Sequence, residues 1–111
     1  MVTVAAVQAT PVFLDREATT DKVCALVKEA AGHGAELIVF PESFVPAYPD
    51  WVWRTPAWSD AEFMRRLYAH AVSVPGPALQ RIQDAAAEAS AYVVIGVTEI
   101  EGGTLYNTRS T

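Results

Sequence analysis

Residues 37 to 40, Leu-Ile-Val-Phe, are four consecutive apolar side chains closed by Pro41 and followed at once by the carboxylate of Glu42. In an α/β protein such a run reads as a short strand covered on both faces, and the proline removes the next ladder donor and stops it. Glu42 is therefore expected just past the carboxyl end of a buried strand. Loops converge there on a rigid base in open α/β sheets, so a carboxylate at that point is either a solvated loop residue or a candidate for binding and acid–base work.

The flanking chain supplies the rest of an α/β unit. Residues 2 to 9 are β-branched and alanine-rich and end before Pro11, as a first strand should. Asp15 is placed to cap a helix from about Arg16 to His33, in which Val23, Leu26, Val27 and Ala30 recur at the spacing of one buried stripe, and Gly32 and Gly34 end it. Ser59 and Glu62 have the spacing of a capping box for a second helix reaching about Val72, with Phe63, Met64, Leu67, Tyr68 and Ala71 inward. Pro75-Gly76-Pro77 breaks the chain and opens a third helix with Leu79, Ile82, Ala85, Ala86 and Ala89 on its inner side. Residues 92 to 97 form a second continuous apolar run, hence another central strand. Glu101-Gly102-Gly103-Thr104 reads as a tight hairpin turn leading to a partner strand over residues 105 to 111. The order βαβ, two helices and a hairpin predicts a mixed, partly antiparallel sheet.

Residues 43 to 58 hold Pro46, Pro49 and Pro56 and all three tryptophans, so an ordered loop is expected. Phe44, Tyr48, Trp51, Trp53 and Trp58 would give it large rigid surfaces suited to a pocket wall or to a contact with another subunit. Cys24 lies mid-helix with no cation or helix N-terminus to activate it, and reads as a packing residue. His33 suits a helix C-terminus and His70 a partly buried structural role. With the two histidines far apart and no ligand-spaced cluster, no metal is expected. Lys22 and Lys28 fall on the outer side of the first helix, away from Glu42. Glu99 reads as a turn or supporting carboxylate, and Asn107 as a structural amide that supports the site.

A net charge of −5 and the absence of a basic run argue against nucleic acid or an anionic membrane surface as a partner. No apolar run approaches the roughly 20 residues that span a bilayer. A single cysteine and a strand-like opening in place of a leader point to the cytoplasm. A hydrophobic content of 51% in 111 residues is high for a free-standing domain and fits part of a larger core.

The string Phe40-Pro41-Glu42-Ser43-Phe44-Val45-Pro46-Ala47-Tyr48-Pro49 resembles the first catalytic motif of the nitrilase (carbon-nitrogen hydrolase) superfamily, whose glutamate is the general base. Val4-Ala5-Ala6-Val7-Gln8-Ala9 is similar to that family's first strand, and Gly96-Val97-Thr98-Glu99 with Leu105-Tyr106-Asn107-Thr108 to its next sheet segment. Tyr48-Pro49-x-Trp51-x-Trp53 resembles the nitrilase branch more than the amidase branches. The resemblance implies the N-terminal half of a four-layer αββα sandwich, a mixed sheet with helices on one face. Residues 1–111 would be the N-terminal part of a single domain incomplete at its C-terminal end. It implies a homo-oligomeric hydrolase needing no cofactor, which turns a small-molecule nitrile into a carboxylic acid and ammonia by Glu-Lys-Cys thiol chemistry. Only the glutamate, Glu42, falls in this chain; Tyr48, Trp53 and Phe44 would contact the substrate. The alternatives are a relative acting on cyanide or amides, and a truncated, non-catalytic association module.

Overall fold

Two parallel strands can be joined only by a crossover, and the long amphipathic segments provide it. The computed structural model describes residues 1–54, 56 and 59–111. Its elements are β1 (Val4–Ala6), α1 (Arg16–Gly32), β2 (Leu37–Val39), α2 (Trp51–Arg54), α3 (Ala61–His70), α4 (Pro77–Ala89), β3 (Tyr92–Glu101) and β4 (Thr104–Ser110). They build one sheet in the order β1-β2-β3-β4, in which β1, β2 and β3 run parallel and β4 returns antiparallel to β3. This is the mixed α/β sheet expected from the pattern. The hairpin is also as expected, with Gly102 at φ +58° and Gly103 at φ +84° between its strands.

The spine of the sheet is β3. Along one edge it meets β2 first, with Ile38 opposite Val93, then Val45 opposite Val97, then Val72 opposite Glu99. The last two are single parallel bridges, held by Thr98 N–H to the Val45 carbonyl at 2.9 Å and by Val72 N–H to the Thr98 carbonyl at 2.7 Å. Three separate pieces of chain thus share one edge, so β3 runs to ten residues where the apolar run alone suggested six.

Helices α1 and α4 cover one face of the sheet. Val23 and Val27 from α1 and Leu79 and Ile82 from α4 pack on Ile38, Val93, Ile95 and Val97. Ser90, in the left-handed region at φ 52°, closes α4. A second, smaller cluster joins Leu14, Ala47, Trp51 and Leu67, with Phe63, Met64 and Leu105 against it. There the Trp51 ring lies 5.9 Å from Phe13 and 5.3 Å from Phe63. The other face of the sheet is open within this chain. Val4 is 55% and Tyr92 80% exposed, because no helix among the described residues reaches the sides of β1, β2 and early β3 that alternate with the buried ones. This agrees with the expected mixed sheet carrying helices on one face, and the cover on both faces that the apolar runs call for is not supplied by the described residues.

Three boundaries also differ from the sequence reading. The first strand is three residues long, Val4–Ala6. Asp60, not Ser59, occupies the cap position of α3, and Ser59 Oγ instead donates to the Pro56 carbonyl at 2.9 Å. Helix α3 ends at His70 because Val72 is drawn into the sheet edge, and Tyr68 stays 41% exposed. Among the described residues no helix is long and apolar enough to cross a membrane.

Candidate functional site

Glu42 is set by what happens between two hydrogen bonds on the edge of β3. Phe40 N–H donates to the Val94 carbonyl and Phe44 N–H to the Gly96 carbonyl, both at 2.8 Å. Between them Pro41, Glu42 and Ser43 leave the ladder and arch over β3. The chain then rejoins the sheet at Val45, so Glu42 sits on an arch within the sheet edge and not beyond its end. Ser43 completes the arch in the left-handed region at φ 46°, a conformation that costs a non-glycine residue about 1–3 kcal/mol and persists only where its surroundings impose it.

The surroundings are close. A Cβ built on Gly96 would lie 2.5 Å from Ser43 N, 2.7 Å from Glu42 Cα and 2.8 Å from the Pro41 carbonyl oxygen. Only glycine lets the arch rest directly on β3. The side chains then interlock. Buried Ser43 donates its hydroxyl to Asn107 Oδ1 at 3.1 Å, and Asn107 Nδ2 donates to Glu42 Oε1. Asn107 lies on β4 opposite Thr98, on the face turned away from α1 and α4.

Two hollows meet at this Glu42–Asn107 pair. One, of about 520 Å³, lies over the open sheet face and is lined by Val39, Val94, Gly96 and Arg109 among others. The other, of about 310 Å³, runs beneath the helical segment and is lined by Tyr48, Pro49, Val52, Met64, Leu67 and Leu105. The carboxylate itself is exposed to both. An anionic oxygen on a rigid sheet, with open space on two sides, can take a proton from a group placed above it.

The structure distributes the expected site residues unevenly. Tyr48 borders the second hollow beside Glu42. Phe44 is 2% exposed and packs its ring 5.6 Å from Phe40 inside the main core, since the turn at Ser43 directs it inward. Trp53 is 79% exposed on α2, outside the lining of either hollow. Trp51, expected in a pocket wall, is a core residue of the second cluster, and Trp58 lies outside the described residues. Glu99 accepts from Thr108 Oγ1 at 2.8 Å and, by strand alternation, belongs to the opposite face from Thr98 and Asn107. Gly96 and Ser43 were not read as parts of the site. An isolated glycine inside an apolar strand was the available signal, because it marks a close backbone approach.

Cys24 and the cations lie elsewhere. The Cys24 thiol is half-buried, 3.7 Å from the Arg81 carbonyl, and burial pushes its pKa up, which disfavours the nucleophilic thiolate. The Lys22 ammonium is committed to the Thr10 carbonyl. Neither hollow at Glu42 is lined by a cysteine or lysine among the described residues.

Contrary to the sequence reading, one ligand-like cluster does form. Donor atoms of Asp15, Glu17 and His70 lie within 4.8 Å of one another where the end of α3 meets the start of α1. Each already has a structural task. Asp15 accepts from Ala18 N–H as the α1 cap, His70 Nδ1 accepts from Arg16 N–H at 3.0 Å, and Glu17 pairs with Arg16. The trio interlocks two helices.

Comparison with known proteins bears on the same stretch. The carbon-nitrogen hydrolase family matches residues 3–111. The chain is 46% identical over 106 residues to a nitrilase of Bacillus sp. (strain OxB-1), covering 96% of this chain and 31% of that protein. It is 42% identical to an aliphatic nitrilase of Rhodococcus rhodochrous, over 96% of this chain and 29% of that one. With an arylacetonitrilase of Aspergillus niger the identity is 43%, over 95% of this chain and 31% of the other. The chain thus spans about a third of the length of the curated relatives it matches. Among solved structures, a glutamine-dependent NAD(+) synthetase from Cytophaga hutchinsonii has the same fold over 97% of this chain and 16% of its own, with a TM-score of 0.58 at 16% identity.

Proposed function

Because the chain belongs to the carbon-nitrogen hydrolase family, we propose that it is the segment of a nitrilase that carries the general base, Glu42. The reaction takes R–C≡N and two waters to R–COOH and NH₃. A thiol adds to the nitrile carbon to give a thioimidate, the first water adds to that carbon and ammonia leaves to give a thioester, and the second water hydrolyses the thioester to the acid and frees the thiol. Glu42 takes the thiol proton and passes it towards nitrogen. The observation that carries this reading is a carboxylate held at one oxygen by Asn107 at the junction of two hollows. The nitrilases at 42 to 46% identity support nitriles as the substrate class.

In this reading the thiol and the cation come from sequence outside these 111 residues, as the threefold greater length of the relatives allows. Tyr48 is the substrate-contacting member of the aromatic set, and Phe44 acts from beneath by supporting the arch. The open sheet face, with Val4 and Tyr92 exposed, supports a homo-oligomeric assembly, and the single cysteine supports a cytoplasmic setting.

The test is Glu42→Gln in the protein as expressed from its own gene, assayed by ammonia release from phenylacetonitrile and from butyronitrile. Turnover should fall by about 10²–10⁴-fold with an unchanged circular dichroism spectrum. Wild-type rates in that variant would remove Glu42 from the role of base.

A further inference from the structure

A carboxylate is an effective base only if the oxygen that takes the proton is free and aimed, and a flexible glutamate in an exposed position meets neither condition by itself. We propose that Asn107 is a positioning residue for Glu42, an inference that rests on reading Glu42 as the base. The amide has a single orientation that serves both neighbours. Ser43 Oγ donates to Asn107 Oδ1 at 3.1 Å, which leaves Nδ2 to donate to Glu42 Oε1. One carboxylate oxygen is thereby anchored, and among the described residues Oε2 accepts no hydrogen bond and is left to take a proton. Asn107 is itself fixed in the β3–β4 ladder opposite Thr98, two residues from the Gly96 platform on which the arch rests. The same strand pair thus holds Glu42 by its backbone and by its side chain.

An amide suits this post because it donates without carrying charge. A lysine there would favour the charged carboxylate and weaken its pull on a proton, and a carboxylate would repel Glu42. The other titratable or charged groups beside Glu42 are Arg109 of β4, across the first hollow, and Tyr48, in the second, which Tyr106 also lines although strand alternation turns its side chain to the opposite face from Asn107. Helices α2 and α3 present only Val52, Met64 and Leu67 there. The anchoring of Oε1 therefore falls to Asn107.

The experiment uses the protein expressed from its own gene, with Asn107→Asp, Asn107→Leu, Ser43→Ala and Glu42→Gln compared on phenylacetonitrile. Asn107→Asp keeps the shape and replaces the donor by a charged acceptor, so it decides the matter even if Asn107→Leu fails to fold. Both Asn107 variants should lose about 10- to 100-fold in kcat, the cost of a misplaced reacting group, with KM changed by less than about threefold. Ser43→Ala should fall between them and wild type. Wild-type kcat in Asn107→Asp, or a loss confined to KM, overturns the proposal while leaving the base reading intact. Full activity in Glu42→Gln overturns the base reading instead. A readout independent of turnover is the ¹⁵N-labelled side-chain amide of Asn107, whose proton resonances should shift in Glu42→Gln. An unmoved Asn107 signal overturns the contact itself.

Discussion

Gly96→Ala is the most direct perturbation of the site that touches no chemistry. A methyl group there would stand 2.5 Å from Ser43 N and 2.7 Å from Glu42 Cα, so the arch must lift by about 0.9 Å to restore ordinary van der Waals contact at 3.4 Å. The clashing atoms are backbone, and the arch is pinned at both ends by 2.8 Å hydrogen bonds from Phe40 and Phe44, so it cannot lift without weakening one of them. Overpacking costs about 1–3 kcal/mol and one strained ladder bond about 1 kcal/mol more, giving an expected loss of about 2–4 kcal/mol. Displacing Glu42 by that distance should also cost on the order of 10²-fold in turnover. Urea unfolding followed by tryptophan fluorescence measures the first effect and ammonia release the second. Gly32→Ala is the control, since a Cβ there meets nothing within 4 Å, and it should be neutral or stabilising by up to about 1 kcal/mol. If Gly96→Ala were as stable and active as wild type, the close seating of the arch on β3 would be refuted.

Cys24→Ala should cost about 1 kcal/mol and leave turnover within a small factor, because the thiol packs beside α4 and lies outside both hollows. With its pKa raised by burial, Cys24 should react with iodoacetamide more slowly than a free thiol at pH 8, and the rate should climb as pH rises towards that pKa; rapid labelling at neutral pH would contradict this placement. Phe44→Ala should destabilise by about 3–5 kcal/mol, as expected for a fully buried ring, and a loss of substrate affinity without a loss of stability would return Phe44 to the pocket wall. Residues 1–111 produced alone should self-associate through the open sheet face and release no ammonia from phenylacetonitrile, and a compact monomer in the ultracentrifuge would contradict the exposure of Val4 and Tyr92.

The elements that carry strong periodicity or unbroken apolar runs, α1, α4, β2 and β3, were legible in the sequence because burial alone specifies them. The paired glycines at 102 and 103 made the hairpin equally plain. What was not legible depends on distant partners. Ser59 carries a capping signature, yet its hydroxyl serves Pro56, and α3 stops early because Val72 is drawn to the Thr98 carbonyl, 26 positions away. The aromatic loop looked like a single wall, but backbone direction after Ser43 sends Phe44 inward and leaves Tyr48 at the site, and composition carries no such direction. Glu42 itself was found from local sequence, whereas its support by Gly96 and Asn107 arises only when the hairpin folds beneath it.

The shared edge of β3 also bears on how this chain reaches its fold. Val72 and Glu99 lie 27 positions apart, Val45 and Val97 52 apart, and Leu37 and Tyr92 55 apart. Closing a loop twice as long costs about 0.6 kcal/mol more in entropy, so the bridge at Val72 is the cheapest to form, and once it is made the intervals to the next two contacts shorten. We expect the edge to zip from Val72 back towards β2, with amide hydrogens of Val72 and Ile100 gaining protection before those of Phe40 and Phe44 in pulse-labelled refolding. The reverse order would exclude this sequence of events. Everything that seats Glu42 lies on the β3–β4 hairpin, which the ribosome makes some 50 residues after Glu42 itself, so a nascent chain stalled before residue 92 already carries that carboxylate but has nowhere to hold it.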